Sequence, residues 1–149
     1  MKIGYGKFLN VLASVQDYEI SAEEKFEKSL RGYIKTALEM PDEYKIVMLN
    51  SSKKVLEHTS TLFKGASKKR QALNALHQYI KDNLKGRDIS DTTVELAAQL
   101  VFTSTFGLII RILIERDTPN DQQDILIEYH IKFILNGIRL FKGGIYSEK

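Results

Sequence analysis

Apolar residues recur along this chain at spacings of three and four, the rhythm of helices that bury one side. Phe26, Leu30, Tyr33, Ile34, Ala37 and Leu38 follow it, with Lys25, Glu27, Lys28, Arg31 and Lys35 opposite. Ser21-Ala22-Glu23-Glu24 stands in front as a capping box, a serine oxygen for orphan amides and a glutamate three residues on. Together these predict an amphipathic helix of about 18 residues. Met40-Pro41 ends it, because the residue before a proline is pushed out of helical angles. Pro41 then opens the next helix, with Asp42 and Glu43 favouring its positive end.

Tyr44, Val47 and Met48 belong to that third helix, which breaks at Asn50-Ser51-Ser52. The stretch to Ser67 is weakly patterned: Val55, Leu56, Leu62 and Phe63 continue a helix that Gly65 weakens. Leu73, Leu76, Ile80 and Leu84 mark a clear helix, which Gly86 stops in a left-handed cap. Thr92-Thr93-Val94-Glu95 and Asn120-x-x-Gln123 read as capping boxes for the last two helices. Phe8, Val11, Leu12 and Val15 share one side of a first helix over residues 3–16. No run alternates in the manner of a strand. The expected fold is all-α, a bundle of about six helices, with residues 1–20 as a connector helix and residues 21–149 as the main unit.

The last two helices depart from the one-sided pattern. Between Val94 and Ile114 the apolar residues go all the way round. After Asn120 the stripe Ile127, Ile131, Ile134, Leu135 and Ile138 is joined by another made of Leu126, Tyr129, Phe133, Leu140 and Phe141. A helix with two oily sides needs two things to bury against. The core is one. A membrane is a poor second, because Glu95, Gln99 and Arg111 interrupt the span and Thr103, Ser104 and Thr105 occupy its centre. Self-association is the better account: two helices from each of two subunits make a four-helix interface under twofold symmetry. Leu108, Ile112, Ile127, Ile131, Ile134, Leu135 and Ile138 are the residues expected there, while the pattern leaves open which stripe of each helix faces the partner.

Composition narrows the rest. The 149 residues suffice for one domain with a sizeable core, and 43% hydrophobic with 28% charged residues is ordinary for a soluble protein. The absence of cysteine excludes disulfides and thiolate metal sites and suits the cytoplasm. A net charge of +3 permits acidic partners without demanding them. His58, His77 and His130 fall on different segments, and no serine sits in a nucleophile elbow. No glycine-rich phosphate loop occurs. Neither catalysis, a metal nor a cofactor is expected. Lys53, Lys54, Lys64, Lys68, Lys69 and Arg70 form the one nucleic-acid-like feature, read most simply as an exposed loop and first turn, with a phosphate-binding patch as the alternative.

A ligand cavity is the sharper expectation. Tyr33, Tyr44, Met48, Leu76 and Tyr79 combine large apolar area with phenol groups that orient a ligand, and Phe102 and Phe106, four apart, share a face to floor the site. Arg111 and Tyr129 are the added polar anchors, with Thr103, Ser104, Thr105 and His130 near them in sequence. The bland account of these groups is hydroxyls bonded one turn back and Arg111 paired with Glu115.

The passages "EEKFEKSLRGYIKTALEMPDEYKIVML" and "LKGRDISDTTVELAAQLVFTSTFGLIIRIL", the second with its mid-helix Gly107, resemble the C-terminal ligand-binding and dimerisation domain of TetR-family transcriptional regulators. The likeness runs from about Phe8 to Phe141 as one of pattern and order. It implies a homodimeric effector domain that responds to a small, largely apolar ligand, with the first helix carrying the change onward as a shift of populations. The family's DNA-reading helix-turn-helix has no counterpart in these residues, since only 20 precede Ser21. DNA contact is implied only through such a unit in a parent protein. The rival expectation is a structural helical homodimer without a ligand.

Overall fold

Ser21 caps the first long helix as its sequence demands. Its hydroxyl accepts the Glu24 amide at 3.1 Å while the Glu24 carboxylate accepts the Ser21 amide. The computed structural model describes residues 8 and 10–141, and among them it contains helices and no strand. α1 is seen at residues 8 and 10–13, so the rest of the expected 3–16 helix before residue 8, and residue 9, lie outside the described residues. Then come α2 (Ala22–Glu39), α3 (Pro41–Met48), α4 (Lys53–Thr59), α5 (Ala66–Lys69), α6 (Gln71–Asn83), α7 (Asp91–Glu115) and α8 (Asn120–Arg139). Pro41 is the first residue of α3, and Gly86 comes after α6 at φ +89°. The count exceeds six because the weakly patterned stretch folds into two short helices. Ser52 caps α4, and Gly65, at φ +88°, turns the chain into α5.

Two expected caps are corrected. Ser90 rather than Thr92 begins α7, its hydroxyl accepting the Thr93 amide at 3.2 Å. Glu95 therefore lies too deep in the helix to reach back to its start. α8 begins at Asn120 with no side-chain cap, and Gln123 donates to the Thr118 carbonyl at 3.0 Å.

The core forms around α2, which meets α3, α6, α7 and α8. Phe26, Leu30, Tyr33 and Ile34 are fully buried from α2, as are Leu73, Leu76 and Ile80 from α6 and Ala98 and Ile109 from α7. Each buried leucine or isoleucine contributes about 1.5–3 kcal/mol. Phe8 and Leu12 of α1 are also fully buried. α1 and α2 approach closely at Gly32, where a Cβ would sit 3.1 Å from Val11 Cγ1.

Across the bundle, α8 is clasped to α2. Arg31 Nε and an Arg31 terminal nitrogen each donate to Glu128 at 2.7 Å, and Arg139 pairs with Glu23. The Arg31 bonds hold the Glu128 carboxyl below its ordinary 4.5. The folded state thus favours the carboxylate, so the pair's contribution is complete above that ordinary value and fades as pH falls through the depressed one. Glu128→Gln should lower stability by about 1 kcal/mol near neutrality, the scale of a half-exposed bidentate pair. The gap to wild type should narrow in urea titrations below about pH 4.

Candidate functional site

The Met40–Pro41 break reverses the chain between α2 and α3 and brings Tyr33 and Tyr44 together, their hydroxyls 3.0 Å apart. Both are fully buried. Phe8 meets Tyr44 edge to face with ring centres 5.3 Å apart. From α7, Phe102 lies 5.9 Å from Tyr33 and Phe106 lies 6.4 Å from Tyr44. The expected shared face of Phe102 and Phe106 is therefore real, and it floors this ring cluster. Leu76 and Tyr79 enter the same core from α6, with the Tyr79 hydroxyl donating to the Leu12 carbonyl at 2.7 Å. Met48 packs at its edge, partly buried. Burial pushes the Tyr44 phenol up to about 12, the Tyr79 phenol also to about 12, and Tyr33 well above its ordinary value. All three are neutral hydrogen-bonding groups near neutral pH.

These side chains meet, but they fill the space between them. The cavity at their border, lined by Met48, Thr59, Thr61, Leu73 and Phe102, holds about 10 Å³. That is room for one water molecule, far below the hundreds of cubic ångströms of a small-molecule site. Larger hollows lie at the surface. One of about 440 Å³ is bordered by Arg87, Ile89 and Phe141, and one of about 460 Å³ by Pro41, Lys45, Arg116 and Gln123.

Two expected anchors stand apart from the cluster. Arg111 is exposed and donates to Glu115 at 2.8 Å, one turn along its own helix. Tyr129 is 55% exposed, edge to face with Phe133, and Lys132 lies over its ring. The hydroxyl of Ser104 bonds back to the Val101 carbonyl, while Thr105 instead meets His130 Nε2 at 2.9 Å, joining α7 to α8. Burial holds the His130 imidazole below its ordinary value.

The expected dimer residues need a larger correction. Ile112, Ile127, Ile131, Leu135 and Ile138 are buried within the single chain, and Leu108 and Ile134 are partly buried against the same core. Their surface is already used inside the chain, so a second copy has almost nothing of them to cover. The other stripes are the open ones. On α7, Leu96, Leu100, Gly107 and Ile114 are exposed, and on α8 Leu126, Tyr129 and Phe133 are, with Leu140 at its C-cap. By helical spacing each set lies opposite its helix's buried side.

One polar arrangement escaped the sequence reading. Glu95, buried on α7, accepts from the Gly65 amide at 2.8 Å, the Ser67 amide at 3.0 Å and the Ser67 hydroxyl at 2.6 Å. The Ser67 hydroxyl foremost holds this carboxyl below its ordinary value. One turn on, Gln99 Nε2 donates to the Thr61 and Phe63 carbonyls. The signal was present: a glutamate and a glutamine four apart share one side of an otherwise apolar helix. Among the described residues α7 is the one helix long and apolar enough to cross a membrane, and here its polar inner groups are bound to protein. No group of three metal-ligating side chains gathers among the described residues.

No family model, no curated protein and no solved structure matches the chain.

The tyrosine pair gives a direct test of the cluster. Tyr44→Phe strands the buried Tyr33 hydroxyl and should cost about 1–3 kcal/mol in denaturant unfolding. Replacing both tyrosines by phenylalanine should recover most of that loss, since neither hydroxyl is then left without a partner.

Proposed function

We infer that this chain is a self-associating helical domain of a regulator similar to the TetR family, pairing through α7 and α8 into a four-helix interface. The observation that carries the reading is the open apolar surface of these two helices. Leu100 and Phe133, on the longest helices of the described chain, are 68% and 71% exposed, and Leu140, capping α8, is 76% exposed. Large apolar patches on a soluble chain mark interaction surfaces. The partner is a second copy, because each copy offers the same two outward stripes and a twofold axis matches them to each other. Thr103, Ser104 and Gly107 lie in the middle of the α7 stripe, and their small size lets two helices approach closely there.

Effector binding is the second reading, supported by the buried phenol pair among aromatic rings. A ligand there would have to separate rings that now touch, so it would select a looser arrangement of α2, α3 and α7. In this reading α1 carries the response, supported by Phe8 packing on Tyr44 and by the Tyr79 bond to the Leu12 carbonyl. The structural dimer without a ligand needs no such opening and is the simpler form of the proposal.

Light scattering at micromolar concentration should give a dimer, and a monomer there would overturn the reading. Phe133→Asp and Leu100→Asp should give folded monomers by circular dichroism. Ile134→Asp, by contrast, should unfold the chain, because that side chain packs on the core. A screen of small apolar compounds should raise the melting temperature with concentration if the effector reading holds, as anything binding only the folded state must. Uniformly unshifted melting would leave the structural dimer.

A further inference from the structure

α4 is a helix of 7 residues without a buried one. A helix so short does not persist alone in water, and this one is kept in place by the segment on its C-terminal side. Gln99 holds the carbonyls of Thr61 and Phe63, Glu95 holds Gly65 and Ser67, and Arg70 donates to the Ser60 carbonyl and hydroxyl while covering the Phe63 ring. The strap from Ser60 to Ser67 is thus tied down from behind by its backbone. Leu62 sits between two pinned carbonyls and is 71% exposed, and Leu56 on α4 is 41% exposed. Neither can retreat into the core without breaking those ties.

Charge is concentrated on the same segment. Six basic side chains stand against one acid, Glu57, in residues 53–70, while the whole chain carries only +3. Arg70 is used internally. Lys53, Lys54, Lys64, Lys68 and Lys69 are exposed and make no ion pair with the described residues. Elsewhere Arg31, Lys81, Arg111 and Arg139 have acidic partners while Lys28, Lys35 and Lys132 are unpaired among the described residues too, so the density of positive charge is what sets this segment apart.

We propose that α4 and its strap form a docking surface for an anionic phospholipid bilayer, the free lysines meeting lipid phosphates and Leu56 and Leu62 entering the interface. Charge complementarity calls for a polyanion, and the exposed leucines choose among polyanions. A nucleic-acid backbone has no use for them, and the segment offers no exposed phenylalanine, tyrosine or tryptophan ring for a base to stack on. A bilayer interface takes both kinds of group at once. The association is peripheral and does not depend on the α7–α8 pairing, which uses other residues.

The test is co-sedimentation of the intact chain with phosphatidylcholine vesicles, with and without about one third phosphatidylserine. Binding should require the anionic lipid and weaken as ionic strength rises. Replacing Lys53, Lys54 and Lys64 by glutamine should abolish it. Leu62→Ser should reduce it by roughly tenfold at unchanged charge, and Leu56→Ser should reduce it independently. All these positions are exposed, so circular dichroism should be unchanged. Three results would overturn the proposal: no binding at low salt, binding indifferent to both leucines, or duplex DNA bound as tightly as the vesicles through the same lysines.

Discussion

A 25-residue helix that is apolar on both sides is costly to leave uncovered on either, and within one chain α7 is covered on only one of them. Its inner side holds Val94, Ala98, Phe102, Thr105 and Ile109 against α2, α6 and α8, and most of the core is arranged around that contact. Its outer side, with Leu96, Leu100 and Ile114, is left in the open. α8 repeats the arrangement, with isoleucines inward and Tyr129, Phe133 and Leu140 outward. Leaving these outer sides wet carries a free-energy cost in proportion to their apolar area.

The polar residues of the core are placed where they tie elements together. Thr105 joins α7 to α8 through His130, Glu128 joins α8 to α2 through Arg31, and Glu95 and Gln99 fasten the strap after α4. Thr105, Glu95 and Gln99 are buried, would be costly to bury alone and are stable only with their partners. The tyrosine hydroxyls obey the same rule: Tyr33 and Tyr44 satisfy each other, and Tyr79 finds a backbone carbonyl. Buried polar groups therefore report register between helices more sharply than the apolar residues around them.

The ring cluster shows the limit of reasoning from residue type. Tyrosine, phenylalanine and methionine gathered on α2, α3, α6 and α7 are the materials of a ligand site, and they are equally the materials of a close-packed interior. Here Phe8 and Phe102 close on the two tyrosines, and little more than a water's volume remains at the edge. Side-chain chemistry placed these residues together correctly, but volume decides whether anything else fits.

The sequence by itself determined where most helices start and stop. The Ser21 box, the Met40–Pro41 break, the left-handed turn at Gly86 beyond the end of α6 and the all-helical class depend on contacts within about four residues, so local pattern is enough to read them. It also determined that α7 and α8 carry two apolar sides each. Only the tertiary structure decided which side faces in. Ile127, Ile131 and Leu135 are no oilier than Leu126 and Phe133, and it is the packing against α2, where Glu128 also meets Arg31, that distinguishes the two stripes. Glu95 likewise reads locally as a cap, yet its partners lie about thirty residues earlier. A distant amide leaves no mark in the local period, which is why its role appears only once the chain has folded.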